Sequence, residues 1–172
     1  MKTKPTGFSI PFIPEHVRLA ESKLGFLLPN TYVDIIKSCG QCEYMDTNDS
    51  QSLLFIRSVY GLFTAYDQMT KTIEQMGDPA PLSIGLFPFA SDRDGALFWD
   101  ITHKTSTDYK VVSNPLLLKS GYESDATWES TSALIDHWLS RVKGEIVIKM
   151  FQDGTSKSAI DEMIADFLLR VC

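Results

Sequence analysis

Cys39-Gly40-Gln41-Cys42 is the sharpest chemical signal in this chain, a C-x-x-C of the spacing used by thiol oxidoreductases and by half of a zinc site. A redox pair of this kind gains its reactivity at a helix N-terminus, where the positive end of the dipole stabilises thiolate. Here the motif follows a helix pattern rather than preceding one, so the dipole opposes ionisation. A structural zinc site needs two further ligands, and only Cys172 and three scattered histidines remain to supply them. Asp92-x-Asp94-Gly95 looks like a fragment of a calcium loop, but its Gly arrives at position four where an EF-hand needs it at six. Asp136-His137 offers an acid–base pair without any G-x-S-x-G or comparable nucleophile motif. His16 and His103 lack ligand spacing and read as surface positions. These residues point away from catalysis and toward structural cysteines, a charged turn and solvated histidines; no enzyme, metal or cofactor is expected.

The bulk numbers leave the same opening. The chain has 172 residues, 44% hydrophobic and 22% charged, which suits one soluble domain with a sizeable core. A net charge of −6 opposes binding to a phosphate backbone, so no direct nucleic-acid contact is expected. No secretory signal and no bilayer-length apolar run is visible, and the odd cysteine count suits a reducing cytoplasm.

The elements that position these residues follow from the pattern. Pro14 and Glu15 begin a helix that Gly25 ends, with Val17, Ala20 and Leu24 on one face. Pro29 begins a second helix with Tyr32, Ile35, Ile36 and Cys39 on one face, ended by Gly40. Residues 41–50 are polar and acidic and read as a surface loop. Leu53–Tyr60 reads as a strand, and Thr64–Met76 as a short helix. Residues 86–101 form a hairpin about Asp94-Gly95, followed by a strand at Tyr109–Ser113 and a polar loop at 119–127. Ser132 caps a helix carrying Leu134, Ile135, Trp138 and Val142. Glu145–Phe151 fits a strand or a helix, and Ser158 starts an amphipathic helix through Val171. Helices, then strands, then helices imply an α+β fold in a single domain over 1–172.

Leu28-Pro29-x-x-Tyr32 resembles the LPxxY signature of the SUKH superfamily, which includes the yeast cell-wall-assembly regulators. Phe87-Pro88-Phe89-Ala90-Ser91-Asp92, then Gly95 and Leu97-Phe98-Trp99-Asp100, is similar to that family's central hairpin, and Leu134–Leu139 is placed like its closing helix. The resemblance spans about 13–142 and leaves 145–172 as a C-terminal helical extension. It implies a mainly antiparallel sheet packed by N-terminal and C-terminal helices. It also implies a non-catalytic role: in bacterial members, immunity against a secreted toxin, often a nuclease or other nucleic-acid-modifying protein; in eukaryotic relatives, a regulatory scaffold.

Under the immunity reading the expected partner is a basic toxin domain, held by acidic loops on a rigid sheet. The expected contacts are Glu43, Tyr44, Asp46 and Asp49 in the first loop, and Asp92, Asp94, Trp99 and Asp100 along the hairpin. Trp and Tyr are the usual anchors of such surfaces. Trp138, at helical spacing to apolar neighbours, is assigned to the core. Whether the protein acts as a monomer or a dimer is left open.

Overall fold

The computed structural model describes residues 12–39, 42–46, 48, 52–59, 61–62, 68, 71, 75, 81–118, 121–144 and 146–150. Two helices lead. Helix α1 (Pro14–Leu24) opens with Pro in its first turn and stops at Gly25, whose φ of 77° permits the left-handed cap in which its N–H donates to the Glu21 carbonyl. The Glu21 carboxylate then accepts from the Leu28 N–H at 2.9 Å, which sets the corner into α2 (Asn30–Cys39). The Val33 N–H donates to the Pro29 carbonyl, so Pro29 stands at the mouth of α2, where its missing N–H costs nothing. The C-x-x-C motif thus begins at the last residue of α2.

Among the described residues nine strands follow: β1 (Cys42–Asp46), β2 (Ser52–Ile56), β3 (Leu86–Asp92), β4 (Ala96–Lys104), β5 (Tyr109–Ser113), β6 (Leu116–Leu118), β7 (Gly121–Glu123), β8 (Ala126–Trp128) and β9 (Ile146–Met150). Seven of them form one sheet in the order β8-β5-β4-β3-β2-β1-β9, with every pairing antiparallel. β6 and β7 pair with each other as a separate ribbon. Helix α3 (Thr131–Leu139) lies between β8 and β9 in the chain. The protein is therefore α+β, as the element order implies.

Alternation along the strands divides the core in two. Phe87, Phe89, Leu97, Trp99 and Val111 face the helices and meet Ala20, Leu28, Tyr32, Ile36, Leu134 and Trp138. Leu86, Phe98 and Val112 face the other way and are covered by Leu117 and Tyr122 of the β6–β7 ribbon. Trp99 sits at the centre of the larger core, stacked on Phe89 at 4.4 Å and met edge-on by Tyr32 at 5.0 Å. Pro88 lies inside a central strand, where it lacks a ladder donor. The register shifts between Pro88 and Ala90, a bulge that absorbs the fault.

Several expectations need correction. Residues 42–46 are strand and not loop, because β2 and β9 pair with both edges of this polar segment and Tyr44 turns inward onto the core. The expected loop at 119–127 holds β7 and all but the last residue of β8, each too short to show a period. α3 is capped by Ser130, whose hydroxyl accepts from the Ala133 N–H at 3.0 Å, and not by Ser132. His16 is buried, and burial pushes its imidazole below the usual range against the opposing charge of Glu15. Residues 146–150 resolve to strand. Most of the Thr64–Met76 helix and all of the 158–171 helix lie outside the described residues.

Candidate functional site

The β3–β4 turn is built around one carboxylate. Asp92 Oδ1 accepts from the N–H groups of Asp94 (2.8 Å) and Gly95 (3.0 Å), while the Asp92 N–H donates to the Gly95 carbonyl. Asn114, held at a φ of 43°, closes the turn from the end of β5: its Nδ2 donates to the Asp94 carbonyl and its Oδ1 accepts from the Ala96 N–H. Gly95 has a φ of 143°, and a Cβ placed there would lie 2.0 Å from Asn114 Oδ1. Gly95→Ala is therefore expected to break both Asn114 bonds and strain the backbone, lowering stability by about 2 kcal/mol in urea unfolding. A loss below about 0.5 kcal/mol would mean that the turn relaxes freely.

A second carboxylate joins distant segments. Asp46, buried at the end of β1, accepts from the N–H groups of Asn48, Lys143 and Gly144. The bond from Asn48 comes first, then that from Lys143; together with Gly144 they outweigh burial and hold the carboxyl below its ordinary range. Asn48 Nδ2 donates to the Lys143 carbonyl, adding a further strut.

These two devices bring the 92–95 turn, the end of β1 and the chain after α3 to one cleft of about 550 Å³. Asp92, Arg93 and Asp94 form one lip. Arg141 and Lys143 form the other, with Trp138, Asp46 and Asn48 completing the lining. The lining thus holds three carboxylates and three cations. Asp46 and one oxygen of Asp92 are already spent on backbone N–H groups, so this surface is not the acidic patch expected.

The expected contact residues separate accordingly. Asp46, Asp92 and Asp94 meet at the cleft. Glu43 and Tyr44 are half-buried on β1, and Asp49 lies outside the described residues. Trp99 and Asp100 are fully buried, which removes both from any contact surface. Arg93, Asn48, Arg141 and Lys143 were not anticipated. Nothing in the local sequence marks them, because the cleft draws on segments nearly 100 residues apart.

Asp100 has an internal task instead. Thr102 donates to its Oδ1 through both N–H and hydroxyl, and the Tyr122 hydroxyl and His103 Nδ1 meet its Oδ2. Burial pushes the Asp100 carboxyl up, but the bonds from Thr102, Tyr122 and His103 together prevail and hold it low. The phenol of Tyr122 is pushed strongly upward by burial and by the adjacent charge. A depressed carboxyl contributes stability that is present above its unfolded value of about 4 and is lost as the pH falls through the folded value. Tyr122→Phe removes one of these donors, so acid unfolding followed by circular dichroism is expected to begin at higher pH. An unmoved acid midpoint would show that this bond carries no linkage.

The fold is thus an α+β domain with a polar cleft at the junction of a hairpin turn, a strand end and a helix exit. The chain matches the model of the SMI1 / KNR4 family (SUKH-1) over residues 12–140, and it belongs to that family. The match runs from just before α1 to the end of α3, so it takes in the turn and Trp138 but stops short of Arg141 and Lys143. No curated protein and no solved structure matches the chain. No helix among the described residues is long and apolar enough to cross a membrane.

Proposed function

We propose that this protein is an immunity protein: it binds a cognate secreted toxin in the cytoplasm and neutralises it by occluding the active site, without catalysis of its own. The toxin is a protein with a nuclease or other nucleic-acid-modifying activity. The observation that carries the reading is family membership over 12–140, and the cleft between the hairpin turn and the exit of α3 agrees with it. A stoichiometric inhibitor needs a rigid recognition surface, and the hydrogen bonds that Asp46 and Asp92 accept and Asn114 donates fix this one before any partner arrives. The net charge of −6 favours encounter with a basic domain at long range.

The test is capture of the partner from the native host with the tagged full chain, followed by expression of the captured protein alone and together with this chain. Arrested growth that co-expression restores is the expected result. A captured protein that leaves growth unaffected would move the assignment to a regulatory scaffold.

A further inference from the structure

The cleft has a polarity that its balanced charge conceals. Asp46 is buried and uses both oxygens on backbone donors, and Asp92 uses one. Among the carboxylates only Asp94 is exposed, and it sits beside Arg93 on the same lip. Arg141 and Lys143 are both exposed; the Lys143 charge adds to what keeps the Asp46 carboxyl low, but Asp46 is already met by three N–H groups. Their placement is fixed from below, since Asp46 clamps the N–H groups of Lys143 and Gly144 at 2.8 and 3.0 Å. Trp138, 9% exposed, lies in the lining next to them. An aromatic in the wall of a cleft shields one side of any ion pair made beside it, which strengthens the pair modestly.

We propose that the cleft seats an acidic side chain of the protein partner, its carboxylate against the Arg141–Lys143 lip with Trp138 beside it. This deepens the immunity reading and rests on it for the partner's identity, though not for the chemistry of the site. The two electrostatic layers then act separately. The overall negative charge draws in a basic domain, and the cation lip accepts only a domain that also presents a carboxylate in the right place. A related toxin lacking that carboxylate leaves Arg141 and Lys143 desolvated without a partner, which is how closely similar partners are told apart.

The site can be probed without the toxin. Acetylated hexaglutamate amide and hexalysine amide are titrated separately into the full chain while amide and Trp indole chemical shifts are followed. The glutamate peptide is expected to shift Lys143, Gly144 and the Trp138 indole N–H, and raising the salt from about 0.02 M to about 0.3 M should weaken the effect. The Arg141→Glu/Lys143→Glu variant should bind it about tenfold more weakly, the size expected from two exposed ion pairs. Both positions are exposed, so an otherwise unchanged spectrum will report an intact fold. Absence of shifts at these residues, or stronger shifts with the lysine peptide, overturns the proposal. If the glutamate peptide binds here but the growth assay shows no toxin, the cleft chemistry stands and the immunity reading falls.

Discussion

Trp99→Ala is expected to lower the unfolding free energy by about 4 kcal/mol, the largest loss expected from one apolar truncation among the described residues. The indole is fully buried, stacked on Phe89 and Phe87 and met edge-on by Tyr32, so its removal opens a cavity that three aromatic rings cannot close. Its Nε1–H also donates to Thr131 Oγ1 at 3.0 Å, so the truncation leaves that hydroxyl oxygen without its donor. Trp99→Phe separates the two effects. It keeps an aromatic ring against Phe89 and loses the polar bond, and should cost about half as much. Urea unfolding followed by far-ultraviolet circular dichroism measures both. A loss under about 1.5 kcal/mol for the alanine variant would contradict the central position of this side chain. The sequence-based expectation made Trp99 a binding anchor, which predicts weakened binding with unchanged stability. The structure predicts the reverse for Trp99→Phe.

The same contrast shows what was legible in the sequence. α1, α2 and the β3–β4 hairpin each carry a local reason for being where they are: Pro14 and Pro29 at helix starts, Gly25 at a stop, Asp92 and Gly95 in a turn. β1 carries none. Cys42-Glu43-Tyr44-Met45-Asp46 is strand because β2 and β9 supply its hydrogen bonds, and β9 comes about 100 residues later. β7 and β8, at three residues each, are shorter than one alternation test. Carboxylates misled for a related reason. Residue type and a polar neighbourhood do not reveal whether an Asp points to solvent or folds back onto backbone donors. Asp46, Asp92 and Asp100 all fold back. Arg141 and Lys143 carry no local signal of a site, and only the Asp46 clamp turns that stretch into the wall of a cleft.

A fourth carboxylate, Asp108, carries the second large effect. It is 5% exposed; Oδ1 accepts from the Thr131 hydroxyl at 2.7 Å and the Tyr109 N–H at 2.8 Å, and Oδ2 accepts from the Thr131 N–H at 3.0 Å. Thr131 begins α3 and receives the Trp99 indole, so one side chain ties the start of β5, the first turn of α3 and the centre of the core. A carboxylate at a helix N-terminus also meets the positive end of the dipole. Asp108→Ala leaves two buried N–H groups and a hydroxyl without their acceptor, and is expected to cost about 3 kcal/mol. Asp108→Asn retains one acceptor oxygen and should cost roughly half of that. Thr131→Val removes the hydroxyl relay while keeping the side-chain volume. If the three residues form one network, combining Thr131→Val with Asp108→Ala should cost less than the sum of the two by about 1 kcal/mol. Strict additivity would mean that Asp108 acts through Tyr109 and the α3 backbone alone. The consequence reaches the cleft, because α3 carries Trp138 and leads directly into Arg141 and Lys143. Asp108→Ala should therefore weaken seating of the glutamate peptide even at temperatures where the fold is intact, through loosening of the helix that carries Trp138 and leads into Arg141 and Lys143.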